Sequence, residues 1–390
     1  MKIKIASLTL LAAFMSLQSC DDPKPTDQPE NNKPAAIFPT NGKSNNKIQV
    51  ALLLDTSSSM DGLIEQAKAR LWDIVNTLTT LKYQGKTPVV EIALYEYGND
   101  NLSPETNYIH QVSKLTTDLD LISQKLFALT TYGGSEYCGA VIYDATKKMD
   151  WGSGDSDMKL IYIAGNEEFN QGGIAYTTAI REARERDIYI NTIFCGEREE
   201  GISTYWRSGA EVGSGKFFNI NSDEQIAYIE TPYDQKIYSY GQKINGTYIE
   251  YGKKGAAGKQ NQAMQDFNAG NISYSVATER SVSKATSVYS NESWDLVDKV
   301  KQDKNALKTI KQQELPSELK GKSEQQIEKY VEQKTKEREA IQQKIGELNK
   351  KRQAYIEKEQ KKQGIQNDLG SAIKRSIIEL AKTKGYTVDA

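Results

Sequence analysis

Apolar residues in the first half of the chain form short runs, separated by stretches in which they recur at helical spacing. The run 50–54 contains no polar residue, which favours a strand buried on both faces of a parallel sheet. Further strands are predicted at 89–97, 108–115, 159–164, 188–195 and 216–220. Helices are predicted between them, at 61–83, 118–129, 174–186, 204–212 and 223–230. This alternation predicts an α/β fold with a doubly wound, mainly parallel sheet, in which the polar strand 108–115 is an antiparallel edge.

The pattern changes after residue 230, where tyrosines and isoleucines recur every three or four residues. Thr231 and Pro232 suit the start of a helix, with threonine as N-cap and proline at the first position. The recurring residues are Tyr233, Ile237, Tyr240, Ile244, Tyr248 and Tyr251. One face of a helix is therefore apolar. We expect this stripe to be core; the alternative is a surface for a carbohydrate or protein partner.

The last segment predicts a long helix that begins at a capping box, Ser323 to Gln326. Its apolar positions form a near-heptad seam, made of Ile327, Val331, Ile341, Ile345, Leu348 and Tyr355. Charged residues interrupt the seam, at Lys334, Arg338 and Arg352. An interrupted seam suits a helical hairpin, with 369–381 as the returning helix, better than a free coiled coil. We expect it to pack on the chain's own 233–251 helix rather than on another protein, in an α-helical domain spanning 231–390 that follows an α/β domain spanning 47–230.

Oxygen-bearing side chains follow the first strand at once. Asp55, Ser57 and Ser59 occupy every second position, so an extended or turning loop aims them the same way. A carboxylate with two hydroxyls suits a hard divalent cation, and ligands of open α/β sheets bind at the carboxyl ends of strands. The alternative is a serine-rich helix cap with Asp55 as a turn residue.

The motif Asp-x-Ser-x-Ser-Met, starting at Asp55, resembles the metal-ion-dependent adhesion site of von Willebrand factor A domains, whose fold is Rossmann-like. Ser135 follows two glycines where that family carries a Gly-Gly-Thr loop, so it is identified by resemblance as a further ligand. The family's third ligand is an aspartate in a Thr-Asp-Gly segment, and here Gly165 takes its place. Asn166, Glu167 or a water are candidates to fill that position.

Two glutamates next to these glycines, Glu136 and Glu167, keep a carboxylate in each loop. They are either additional metal or ligand contacts or acidic caps at helix N-termini, which the helix dipole favours. Both interpretations remain open from the sequence.

The resemblance implies an adhesion module that binds Mg²⁺ or Mn²⁺, or Ca²⁺, weakly, through Asp55, Ser57, Ser59 and Ser135. An acidic side chain of a protein partner would complete the coordination. The alternative is a metal-independent structural scaffold of an envelope complex with a degenerate site. We do not expect an enzyme, because the single histidine, His110, leaves no Ser-His-Asp set and no phosphate-binding glycine loop is present.

The N-terminus has the features of a targeting segment. Lys2 and Lys4 precede an apolar stretch, 5–15, and the segment 17–20, Leu-Gln-Ser-Cys, resembles a bacterial lipobox. The resemblance implies a signal peptide at 1–19 and lipidation of Cys20; the alternative is an ordinary secretory peptide. Residues 20–46 are rich in Pro, Asn, Lys and Asp and predict a disordered tether.

These features predict a protein of the bacterial cell envelope that meets the membrane through its lipid anchor only. The outer membrane or cell surface is favoured over the inner membrane. Cys138 and Cys195 both map to the carboxyl side of the sheet, so an oxidising compartment favours a disulfide between them, with two buried free thiols as the alternative. The near balance of 50 basic and 52 acidic residues gives no attraction to nucleic acid.

Overall fold

A six-stranded sheet of order β4-β3-β1-β5-β6-β7 forms the centre of the protein, and β2 and β8 form a separate antiparallel pair. The computed structural model describes residues 46–388 except 62, 221–228 and 364–368. The strands are β1 Lys47–Asp55, β2 Leu81–Tyr83, β3 Val89–Tyr97, β4 Ile109–Thr116, β5 Met158–Gly165, β6 Ile188–Cys195, β7 Ser214–Ile220 and β8 Tyr386–Val388. The predicted signal peptide lies outside the described residues. The predicted tether and the predicted 223–230 helix lie almost entirely outside them.

Parallel pairing joins every strand of the large sheet except β4, which runs antiparallel to β3. The doubly wound, mainly parallel α/β fold predicted from the sequence is therefore confirmed, including its antiparallel edge. Strand β1 lies between β3 and β5 and is buried along almost its whole length. Its carboxyl end, Asp55, is consequently surrounded by neighbouring strand ends.

Six helices accompany the strands of the α/β part: α1 Leu63–Thr79, α2 Leu119–Phe127, α3 Cys138–Lys148, α4 Tyr176–Glu185, α5 Arg198–Ser203 and α6 Trp206–Val212. Side chains of β1 alternate between the two faces of the sheet. Leu52 and Leu54 join the core that includes α1 and α2, whereas Ala51 and Leu53 join the core that includes α3, α4 and α6. Each face of the sheet is thus covered by its own helical layer.

The region after residue 230 contains seven helices among the described residues: α7 Asp234–Asn245, α8 Gly255–Ile272, α9 Tyr274–Lys284, α10 Leu296–Gln302, α11 Ala306–Thr309, α12 Glu324–Gln363 and α13 Leu369–Thr383. The tyrosine stripe is core, as expected: Ile237 and Ile244 are fully buried and Tyr248 is nearly so. Helix α7 ends at Asn245, however, so Tyr248 and Tyr251 lie beyond it.

The predicted division into two domains at residue 230 is wrong. Residues from Ser44 to Ala390 form one compact unit, and a single core contains side chains of the sheet, of α1 and α2, and of α7, α9 and α13. The amphipathic helices after residue 230 bury their apolar faces against the α/β part, because α1 and α2 alone leave that side incompletely covered. Strand β8 adds a second connection by pairing with β2.

The prediction of a helical hairpin near the end of the chain is only partly correct. Helix α12 packs on α7, α9 and α10, which confirms an intrachain partner, whereas α13 packs on α1 and β7. The two helices are therefore consecutive but are held mainly by different neighbours.

Buried arginines explain the charged interruptions of the α12 seam. Arg338 binds Asp295 and Asp298, both at 2.8 Å, and Arg352 binds Asp234 at 2.6 Å and also Glu279. Such pairs stay in a protein interior only when their hydrogen bonds are satisfied. The arginines therefore fix the position of α12 on the helices beneath it.

Candidate functional site

Three loops meet at the carboxyl ends of β1, β3 and β5. The 55–60 loop is joined to the glycine loop by a backbone hydrogen bond from Ser58 N to Gly133 O (2.7 Å). It is joined to the loop after β5 by a hydrogen bond from Ser59 Oγ to Asn166 Oδ1 (3.0 Å). The structure therefore brings together the three segments that the sequence predicted to form one site.

Asp55 lies at the bottom of this site and is 0% exposed. Its Oδ1 accepts a hydrogen bond from Ser57 N (2.7 Å), whereas its buried Oδ2 has no hydrogen-bond partner among the described residues. Burial raises the pKa of Asp55 to about 8, and the negative charges of Glu136 and Glu167 add to this rise while the hydrogen bonds from Ser57 oppose it. A buried carboxylate oxygen without a hydrogen-bond partner is suited to act as a ligand of a cation.

The two serine hydroxyls of the motif lie within hydrogen-bond distance of each other, with Ser57 Oγ and Ser59 Oγ 2.8 Å apart. Ser57 is buried, whereas Ser59 is exposed. The motif therefore extends from the buried carboxylate to the surface, as a site that opens to solvent requires.

Glu136 is the second carboxylate of the site. A β-carbon on Gly98 would lie 2.8 Å from Asp55 Oδ1 and 2.9 Å from Glu136 Cγ. The two side chains therefore border the same small space beside Gly98. Glu136 is 5% exposed; burial raises its pKa first, and the charge of Glu167 raises it further. In the described part of the chain, neither Asp55 nor Glu136 is paired with a basic side chain.

Ser135 lies in the same glycine loop and is half-buried. Its backbone N–H donates to Gly98 O (3.4 Å), which connects the glycine loop to the end of β3. Gly98 has φ +79°, a left-handed conformation that glycine adopts without strain. Ser135 therefore belongs to the site through the loop that carries Glu136.

Gly165, the residue at the family's third aspartate position, has no room for a side chain. A β-carbon there would lie 2.7 Å from Tyr97 Oη, 3.0 Å from the Trp206 ring and 3.2 Å from Asp55 Cβ. Tyr97 Oη is held there because it donates a hydrogen bond to Ala164 O (3.0 Å). Glu136 is therefore the carboxylate that remains beside Asp55, while Asn166 and Glu167 lie nearer the surface.

The residues present fit a divalent cation. Two carboxylates and the serine hydroxyls are hard oxygen ligands, and a cation beside the carboxylates would favour their charged forms, which burial opposes. No group of three or more His, Cys, Asp or Glu with metal-site geometry occurs in the residues that the structure describes. The protein's own ligand set is thus limited to two acids and hydroxyls.

The structure contradicts the predicted disulfide. Cys138 and Cys195 are both buried free thiols. Cys138 belongs to the core on the α3 face of the sheet and Cys195 to the core on the α1 face, so the sheet separates them. Both lie near the carboxyl edge, as the sequence indicated, but on opposite faces.

Tyr97, Gly98 and Trp206 contribute to the site without having been predicted from the sequence. Tyr97 and Trp206 enclose Gly165, and the Trp206 indole N–H donates to Glu167 O (2.7 Å). The glycine at the end of β3 was the one available signal, because a glycine at a strand end often marks close approach of another chain segment.

Comparison with known proteins leaves the family undecided. No protein-family model and no curated protein matches the chain. Among the described helices, none combines the length and the apolar character that a membrane span requires.

Solved structures give distant matches to the α/β part. Proximal thread matrix protein 1 from the mussel byssus has 15% identity over 46% of this chain and 42% of its own, with a TM-score of 0.34. BatB from Bacteroides thetaiotaomicron has 15% identity over 45% of this chain and 90% of its own, with a TM-score of 0.35. The vWF domain of the pili tip protein Mfa5 from Porphyromonas gingivalis has 15% identity over 46% of this chain and 90% of its own, with a TM-score of 0.34. At these values the fold assignment rests on the strand order, and the matches carry no argument about function.

Proposed function

We propose that this protein is a binding module whose α/β site holds a divalent cation and engages an acidic side chain of a protein partner. The observation that carries the proposal is Asp55 Oδ2, which is buried and unpaired beside a second buried carboxylate, Glu136. An arrangement of this kind is unfavourable in a protein without a compensating positive charge. A bound cation is the simplest source of that charge.

Each residue has a defined task in this proposal. Asp55 and Glu136 supply the negative charge, while Ser57, Ser59 and Ser135 supply neutral hydroxyl oxygens. Mg²⁺ and Mn²⁺ suit this set, and Ca²⁺ is the alternative if further oxygens join. The bound cation supplies a Lewis-acidic position to which an incoming carboxylate binds.

The small number of protein carboxylates favours weak intrinsic affinity and a strong requirement for the partner's acid. The exposed Ser59 leaves the outer side of the site accessible. Because fewer protein charges neutralise the cation, it attracts an external carboxylate more strongly. Metal binding and partner binding should therefore be mutually dependent.

We further propose that the module is anchored in the bacterial cell envelope through a lipid on Cys20. The support is the lipobox resemblance in the sequence. Cys20→Ala should move the protein from the membrane fraction to the soluble fraction. Normal processing with retention in the membrane fraction would contradict the anchor.

A metal-independent scaffold is the second candidate function. It is favoured by Gly165, where Tyr97 and Trp206 exclude a third acidic ligand. In that case Asp55 stays protonated near neutral pH, in line with its pKa of about 8. Partner binding would then be unaffected by chelators.

Calorimetric titration with Mn²⁺ distinguishes the two functions. The wild type should release heat at submillimolar to millimolar Mn²⁺, and Asp55→Asn and Glu136→Gln should abolish the signal. Glu168→Gln is the matched control, because Glu168 is an exposed acid of the loop after β5 that has no place in the proposed ligand set. Identical traces for the wild type and Asp55→Asn would exclude the cation-dependent function.

A further inference from the structure

Two tyrosines are exposed on the loops that surround the proposed cation site. Tyr132 is 56% exposed and Tyr205 is 44% exposed. The Tyr132 N–H donates to Thr56 O (3.0 Å), which places this tyrosine on the β3 side of Asp55. Tyr205 precedes Trp206, which is bonded to the loop after β5 and therefore lies on the other side. The loops on the two sides of the site thus each carry one solvent-exposed tyrosine.

Tyr205 also has an unfavourable backbone conformation. Its φ is +72°, in the left-handed region that bulky side chains rarely adopt. Its one ring contact among the described residues is with Tyr176, whose centroid is 6.3 Å away. Packing therefore gives little reason for an aromatic residue here, and strained residues of this kind cluster at functional sites.

Exposed carboxylates lie on the same loops. Asp100, Glu167 and Glu168 are exposed, and none of them is paired with a basic side chain within the ranges that the structure describes. The Asp100 N–H donates to Tyr132 O (3.1 Å), so this acid lies next to the first exposed tyrosine. Aromatic faces and unpaired carboxylates both attract cationic groups.

The cation therefore attracts a negatively charged group of the partner, whereas the surface around it attracts positively charged groups. A partner carboxylate is drawn to the cation, but the three surrounding acids repel any additional negative charge. Lysine or arginine side chains beside that carboxylate would instead meet Tyr132, Tyr205 and the acids. Electrostatic matching of this kind determines which partners bind.

We propose that the partner presents an extended protein segment in which one acidic residue is flanked by lysine or arginine. The acidic residue completes the coordination of the cation, and the basic residues contact the tyrosines and the exposed carboxylates. This inference rests on the proposed function, because it requires a cation in the site.

Labelled synthetic peptides test the inference by fluorescence anisotropy with Mn²⁺ or with EDTA. The probe is acetyl-Lys-Gly-Asp-Gly-Lys-amide, compared with one peptide carrying Gln for both lysines and another carrying Asn for the aspartate. The lysine peptide should bind about tenfold more tightly than the Gln peptide, and only with Mn²⁺. The Asn peptide should lose the Mn²⁺ dependence. Equal or tighter binding of the Gln peptide would overturn the inference.

Tyr205→Gly separates a binding role from a structural one. Glycine adopts positive φ without strain, which offsets the lost packing of the ring and the extra freedom of the unfolded chain, so this variant should melt near the wild-type temperature while binding the lysine peptide several-fold more weakly. Phe267→Ala is the matched control, since Phe267 is 64% exposed on α8, outside the site loops, and its removal should leave peptide binding unchanged. Wild-type peptide affinity in Tyr205→Gly would also overturn the inference.

Titration of each protein with Mn²⁺ alone separates a failure of the proposed function from a failure of this inference. If the wild type binds no Mn²⁺, the proposed function and this inference both fail. If Mn²⁺ binds but the lysine peptide has no advantage, the inference fails and the cation site stands. If Tyr205→Gly loses Mn²⁺ affinity itself, the tyrosine supports the site and is not a partner contact.

Discussion

Replacing Asp55 by asparagine should remove the pH dependence of stability that this site contributes. Asp55 has a pKa of about 8 in the folded, metal-free protein, compared with 3.8 for an unperturbed carboxyl. Between these values the folded protein keeps a proton that the unfolded chain has lost. The unfolded state thus binds fewer protons, so the free energy of unfolding falls as pH rises from about 4 to about 8.

The magnitude follows from the size of the pKa shift. Each pKa unit corresponds to about 1.4 kcal/mol, so the raised pKa of Asp55 costs at most roughly 6 kcal/mol above pH 8. Asparagine does not ionise and avoids this cost. It keeps an acceptor for Ser57 N but places an amide where Oδ2 has no partner, at a cost of about 1–3 kcal/mol. Asp55→Asn should therefore be about as stable as the wild type near pH 5, where the raised pKa costs the wild type only about 1.6 kcal/mol, and more stable by about 3 kcal/mol near pH 9.

Urea unfolding in EDTA, across this pH range, measures the difference between the two proteins. Subtracting the two free energies of unfolding removes the contribution of every other group that titrates in the same way in the two proteins. Glu168→Gln should follow the wild type at each pH, because Glu168 is exposed. Saturating Mn²⁺ should stabilise the wild type and leave Asp55→Asn unchanged. A difference that stays constant from about pH 5 to about pH 9 would refute a buried carboxylate with a raised pKa.

Three further predictions test the surroundings of the site. Gly165→Ala should lose about 1–3 kcal/mol of unfolding free energy, because the added methyl group meets the Tyr97 hydroxyl. Adding Tyr97→Phe to this variant should restore part of the loss by removing that hydroxyl. An unchanged unfolding free energy in urea would contradict the close packing. Arg338→Ala should cost about 3–5 kcal/mol, because it leaves the buried Asp295 and the partly buried Asp298 without their arginine, and a loss under about 1 kcal/mol would show that the pairs are not formed. Thiol counting in unfolded, non-reduced protein should find Cys138 and Cys195 both free, whereas their absence from the count would restore the disulfide.

The strands were predictable because their signal is local. An uninterrupted apolar run such as 50–54 needs burial on both faces, and parallel pairing on either side of β1 supplies it. Asp55, Ser57 and Ser59 were predictable for the same reason, since the end of a strand and the spacing of its polar residues are both visible in the sequence. The place of the proposed cation site in the fold therefore needed no tertiary information.

The merged helical region was not predictable from periodicity. The stripe containing Ile237 and Ile244 shows that one helix face is buried, but it does not show which surface covers that face. Residues Ile373 and Ile377 of α13 complete a core that begins with β1, more than three hundred residues earlier in the chain. The change of pattern at residue 230 therefore resembles a domain boundary in the sequence, although the structure has none there.

The role of Gly165 and the separation of the cysteines depend on three-dimensional packing. Tyr97 reaches Gly165 across β1, from a strand that is not adjacent to β5. Cys138 and Cys195 share an edge of the sheet, but the face on which each side chain lies depends on the helix and strand register. Sequence position near a common edge was thus insufficient to predict a bond.

Anomalous diffraction at the manganese absorption edge, from crystals grown with Mn²⁺, tests the cation site most directly. We expect one peak at bonding distance from oxygens of Asp55 and Glu136, beside the Ser57 and Ser59 hydroxyls. The same peak should be missing from crystals of Asp55→Asn. A peak elsewhere, or none at saturating Mn²⁺, would contradict the cation site and leave the metal-independent scaffold as the function.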